Sequence, residues 1–80
     1  MKVFSMKVKL MGHFADELGA EIEVNDVGNL STLKEKIEDS YPFIKGKKYC
    51  IARNHKIESN LESVLEAEDE IALLPPFAGG

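Results

Sequence analysis

The sequence predicts an α+β domain in which a mixed β-sheet packs on one main helix. Three observations carry that expectation. Two segments near the N-terminus alternate apolar and polar residues, the period of half-buried strands. Leu30, Leu33, Ile37 and Tyr41 recur at spacings of three and four, the period of a helix with one apolar face. The segment Ile71-Ala72-Leu73-Leu74 is apolar throughout and reads as a central strand covered on both faces.

The residues from Lys2 to Met11 favour strand, and Met6, Val8 and Leu10 alternate with Lys7 and Lys9, so the apolar side chains share one face. Gly12 to Gly19 breaks that period and reads as a connection with one helical turn, anchored by Phe14 and Leu18. Glu21 to Val24 alternates again, with Ile22 and Val24 inward, and Asn25-Asp26-Val27-Gly28-Asn29 is a turn cluster. Asn29 or Ser31 can cap the helix that follows. Its other face is the solvated run Lys34, Glu35, Lys36, Glu38 and Asp39. Pro42 stops it, because proline lacks an amide donor and restricts Tyr41 before it.

Phe43 and Ile44 are expected to fold back over the core before the loop Lys45-Gly46-Lys47-Lys48. Tyr49 to Arg53 reads as a third strand, Asn54-His55-Lys56 as a turn, and Ile57 as the opening of a short return strand. Leu61, Val64 and Leu65 sit at helical spacing for one turn, and Glu68-Asp69-Glu70 is a charged turn before the last strand. The order ββαβ(β)β, with one helix against a sheet, is that of a β-grasp. Residues 1–74 form the domain and 75–80 a flexible tail ending in Gly-Gly.

Composition narrows the function. Eighty residues make one small domain, too small for a deep cofactor pocket. Ten Lys and Arg against fourteen Asp and Glu give a net charge of −4, which disfavours nucleic acid as a partner. No apolar run approaches the ~20 residues that span a bilayer, and the N-terminus lacks a signal-peptide core. One cysteine excludes an internal disulfide and fits a reducing, cytoplasmic setting. His13 and His55 lie outside any metal-ligand spacing, and Cys50 reads as a structural thiol within a strand. The scattered carboxylates mark no acid–base pair, so no permanently bound cofactor or metal is expected.

The C-terminus stands apart. Pro75 and Pro76 stiffen the exit from the last strand, Phe77 and Ala78 follow, and Gly79-Gly80 closes the sequence. Composition alone puts Gly-Gly at the end of about 0.5% of chains. Six residues beyond Leu74 reach at most ~20 Å, enough to enter another protein's active site while the domain docks outside. Paired glycines thread a channel that a Cβ would obstruct. The reactive group is then the Gly80 carboxylate, which is ionised and therefore a poor electrophile until activated, for example as an acyl-adenylate. An acyl carrier follows, rather than an enzyme with its own catalytic side chains.

Over its whole length the sequence resembles the small subunit of molybdopterin synthase, a ubiquitin-like β-grasp sulfur carrier. The resemblance rests on the strand Met6 to Met11, the segment Phe14 to Gly19 and the Leu30/Leu33/Ile37 helix. It continues through Ala52-Arg53-Asn54, Glu68-Asp69-Glu70-Ile71-Ala72 and above all Pro75-Pro76-Phe77-Ala78-Gly79-Gly80. Residues Met1 to Ser5 depart from the compact start of that family, as an alternative initiation site or a lengthened strand. The resemblance implies that a ubiquitin-activating-type enzyme spends ATP to adenylate Gly80. A persulfide sulfur donor then displaces AMP to leave a thiocarboxylate. The charged tail next enters the large synthase subunit and gives sulfur to the pyranopterin precursor of the molybdenum cofactor. Gly79 threads the channel, and Leu74, Pro75, Pro76, Phe77 and Ala78 lie at its mouth. Three other readings stay open: a carrier for thiamin synthesis or tRNA thiolation, a protein modifier conjugated through Gly80, and an interaction domain.

Overall fold

The computed structural model describes residues 3–75. Five strands form one mixed sheet: β1 (Phe4–Leu10), β2 (Glu21–Val27), β3 (Cys50–Arg53), β4 (Lys56–Ile57) and β5 (Ile71–Leu74). Three helices accompany it: α1 (His13–Leu18), α2 (Leu30–Ser40) and α3 (Pro42–Lys45). The strand order is β2-β1-β5-β3-β4. Neighbours are antiparallel except β1 and β5, which run parallel. This is the expected β-grasp, with the all-apolar strand at its centre.

Alternation does the sorting along β1, where Met6, Val8 and Leu10 are buried and Lys7 and Lys9 exposed. Leu30, Leu33 and Ile37 of α2 close over that face, joined by Phe14, Ile44 and Leu65. Asn29 is the helix cap, its side-chain oxygen accepting from the Thr32 amide at 2.8 Å. Tyr49 ties β3 to this helix. Its hydroxyl donates to the Glu38 carboxylate, and Lys34 Nζ stands 5.7 Å from the ring centroid. Burial foremost, then the bond to Glu38 and the charge of Glu38, hold the Tyr49 hydroxyl protonated well above the usual tyrosine range.

The structure corrects the expectations in four places. β2 runs on through the anticipated turn to Val27, which is fully buried opposite Phe4. The pairing slips there: Phe4 faces Val27 while Met6 faces Val24, and the extra residue is absorbed by Asp26 at φ 57. Pro42 does more than stop α2, since it opens the single turn α3 and so buries Ile44 while leaving Phe43 at the surface. Leu61 to Leu65 is not a helical turn. Val64 bridges to Asn29, and the Leu30 and Leu65 amides donate to Ser63 O and Gly28 O, so extended pairing takes those groups instead. Finally, β5 is central but covered on one face only, with Ile71 and Leu73 buried and Ala72 and Leu74 half-buried.

Candidate functional site

The uncovered face of β5 is where the tail begins. Strand pairing places Lys9 beside Ala72, Ala72 beside Ala52 and Ala52 beside Ile57, in one row across four strands. One step toward the tail, Leu74 pairs with Cys50, and Met11 follows directly on β1. The row continues the other way from Lys9 to Glu21, and Lys7 faces Glu23. The open face therefore divides into a charged half on β1 and β2 and an apolar half on β5, β3 and β4.

The apolar half is concave. Met11, Ala52, Ile57, Ala72 and Leu74 line a groove of about 400 Å³, with Lys9, His55 and Glu70 at its polar side. Met11 is 43% exposed and Ile57 55%, values that a folded core would not leave to water. Glu70 holds the polar side together, with Lys9 Nζ 3.4 Å and His55 Nε2 2.9 Å from its two carboxylate oxygens. His55 reaches that position because Asn54 and His55 turn β3 into β4 with φ of 53 and 70, the pattern of a tight hairpin turn.

A polar latch fixes the approach to β5. Arg53 Nε donates to Asp69 Oδ2 at 2.8 Å, Asn54 Nδ2 donates to Oδ1 at 3.0 Å, and the Glu66 amide donates to Oδ2 at 2.8 Å. Asn54 also accepts from the Glu70 amide at 2.9 Å. Burial favours the neutral Asp69 carboxyl. The bonds from Asn54, the Glu66 amide and Arg53 outweigh it and hold its pKa below the ordinary value of 3.8. Ala52-Arg53-Asn54 is thus a structural joint: it sets the register in which β5 delivers its last residue.

Of the expected site residues, Leu74 ends β5 on the open face and Pro75 follows it. The Pro75 ring lies against Gly12, where a Cβ would stand 2.9 Å from Pro75 Cγ. Pro76, Phe77, Ala78, Gly79 and Gly80 lie outside the described residues. Among the described residues no group of three His, Cys, Asp or Glu is placed to hold a metal ion, and no helix is long and apolar enough to cross a membrane. His13 and His55 are exposed and separate, and Cys50 is free and half-buried.

Sequence reading missed Met11, Ala52, Ile57 and Ala72 as members of the site. Met11 carried a signal, because it continues the outward phase of a strand whose other outward residues, Ser5, Lys7 and Lys9, are polar. The remaining three acquire meaning only from cross-strand pairing.

The model of the ThiS family matches residues 8–80. No curated protein sequence matches the chain. Among solved structures, subunit 1 in the complex of subunits 1 and 2 of the molybdopterin-converting factor of Helicobacter pylori is similar at TM-score 0.71 and 26% identity, covering 96% of this chain and 100% of that one. A Pyrococcus furiosus protein assigned as molybdopterin converting factor subunit 1 superposes at TM-score 0.80 with 22% identity, over 92% of this chain and 99% of that one. The small archaeal modifier protein 1 of Methanosarcina acetivorans does so at 0.77 with 23% identity, each chain covered completely. The family match spans residues 8–80 and the described residues have the matching architecture: the chain belongs to the ThiS family and has its ubiquitin-like β-grasp fold.

Proposed function

We propose that the chain is a cytoplasmic sulfur carrier of molybdenum cofactor synthesis whose reactive group is the C-terminal carboxylate of Gly80. One observation carries the reading: a Pro-Pro-x-x-Gly-Gly end is rooted at Leu74, beside an apolar groove that the described residues leave open. A partner that docks on the groove places the tail's root at its own surface, and six residues then reach ~20 Å inward. The H. pylori relative, whose structure is a complex of subunits 1 and 2 of its converting factor, supports a large-subunit partner of this kind.

The chemistry divides between the tail and its partners. A Gly80 carboxylate oxygen attacks the α-phosphorus of ATP in a ubiquitin-activating-type enzyme, releasing pyrophosphate and forming an acyl-adenylate. A persulfide sulfur attacks the acyl carbon and AMP leaves; a thiol then cleaves the acyl disulfide, leaving the thiocarboxylate. The domain contributes binding and placement, and Leu74 to Gly79 line the path. Both glycines lack a Cβ, which suits a channel narrow enough to exclude water from the activated ester.

The similarity to small archaeal modifier proteins supports a second reading, in which Gly80 forms isopeptide bonds with lysines of other proteins. Intact-mass analysis of the protein from its own cells, with fragmentation of the C-terminal peptide, separates the two. Replacement of one oxygen by sulfur at Gly80 is expected for the carrier. High-mass conjugates lost on deleting Gly80 mark the modifier, and a plain carboxylate after supplying ATP, sulfide and the cell's activating enzymes removes the carrier reading. Deleting Gly80 is expected to leave the fold intact and abolish transfer.

A further inference from the structure

We infer that Gly12 is a positioning residue for the tail: its missing side chain leaves the notch in which the Pro75 ring sits, and that seat sets where the chain leaves the domain. The geometry stands by itself; its consequence for transfer rests on the carrier reading above. Gly12 follows Met11, whose amide donates to the Leu73 carbonyl at 3.1 Å, so the end of β1 and the end of β5 are held side by side. Its backbone, at φ 58 and ψ −137, is one that glycine alone adopts without strain. A Cβ at this position would also stand 2.9 Å from Pro75 Cγ and 3.5 Å from Cδ.

A proline ring has no rotamer by which to swing aside, because Cδ is bonded to its own backbone nitrogen. Relief of that collision therefore moves the backbone of Pro75, the first residue past the sheet, and every reactive atom lies beyond it. Gly19 provides the contrast: at φ 95 it too needs glycine, yet nothing stands within 4 Å of its absent Cβ. Gly19 serves a turn alone, whereas at Gly12 the turn and the neighbouring ring make separate demands. With Pro75 seated, one residue fewer has to be placed when the tail enters a partner; freeing it lowers productive docking by about tenfold.

The test uses the full chain with Gly12→Ala, Pro75→Ala, the double variant, and Gly19→Ala as a control for turn strain. In the free protein, a nuclear Overhauser contact between Gly12 Hα and Pro75 Hγ is expected, with loss of order at the Cα of residue 75, read by carbon relaxation, in Gly12→Ala and Pro75→Ala. In steady-state adenylation by the cell's own activating enzyme, each of those two is expected to raise the KM for the carrier about tenfold with kcat nearly unchanged. The double variant is then no worse than either single, because both remove one seat. Gly19→Ala is expected to lower Tm and leave KM alone. Absence of the Overhauser contact, additive KM effects, or a Gly12→Ala protein altered in Tm only would overturn the inference. Should Gly12→Ala not fold, unchanged order at the Cα of residue 75 in free Pro75→Ala overturns it and lost order supports it. If the unaltered chain is never adenylated, the carrier reading falls, and the two magnetic-resonance readouts still decide the seat.

Discussion

The covered and open faces of the sheet are made by alternate residues of the same strands, and Leu73 and Leu74 show how far they differ. Leu73 is fully buried against α2 and the rest of the core, while Leu74 lies half-buried on the groove. Their chemistry is identical. Full burial of such a side chain contributes about 1.5–3 kcal/mol, so Leu73 yields that stabilisation on folding, whereas Leu74 realises only part of it. The charged half of the open face has no such reserve, since Lys7 and Lys9 stand across the strands from Glu23 and Glu21 and meet water. What separates a stability surface from a docking surface here is therefore one step along a strand, and then two strands across a sheet.

Substitutions can break that contrast. The largest loss of stability is expected from Leu73→Ala, about 2–5 kcal/mol by urea denaturation, because it opens a cavity between sheet and helix. A loss below that of Leu74→Ala would refute the assignment of faces. Next comes Asp69→Ala, at about 2 kcal/mol, since it leaves Arg53, Asn54 and the Glu66 amide without their acceptor. Asn29→Ala, which removes the cap of the helix covering the core face, should cost about 1 kcal/mol. Ile57→Asp sits at the other end of the scale, within about 0.5 kcal/mol of the unaltered protein, because its side chain is already in water. Its effect belongs to the open face: binding to the large subunit should weaken while Tm holds. Unchanged binding would remove the groove from the docking surface.

Acid sharpens the same comparison. The folded pKa of Asp69 lies below its ordinary value of 3.8, so its stabilisation is fully present above that value and is lost as pH falls through the folded one. Urea midpoints measured from neutral pH down to about pH 3 should therefore fall more steeply for the unaltered chain than for Asp69→Ala. Parallel curves would show that the latch is not the titrating element.

The strand alternation of Met6 to Leu10, the apolar spacing of α2 and the all-apolar Ile71 to Leu74 were legible because each is a local period that burial must satisfy whatever the partner element. The Pro-Pro-Phe-Ala-Gly-Gly end is a motif of the sequence alone, and the carrier chemistry proposed for it awaits the mass measurement. Leu61 to Leu65 misled because helical spacing over one turn is also what an extended segment shows when Val64 bridges to Asn29. Phe43 misled in the same way, since the Pro42 turn chose Ile44 for the core.

By itself, then, the sequence determined which residues are apolar in which period, and that the chain ends in Pro-Pro-Phe-Ala-Gly-Gly. It could not say that β5, apolar on both phases, would be covered on one side only. That depends on how many helices the chain has to cover the sheet, and α2 packs on one face. Nor could it place Ala52 and Ile57 beside Ala72, or Pro75 in the space above Gly12. Those residues are far apart in sequence, and only the tertiary structure brings Ala52 and Ile57 beside Ala72 and the Pro75 ring against Gly12.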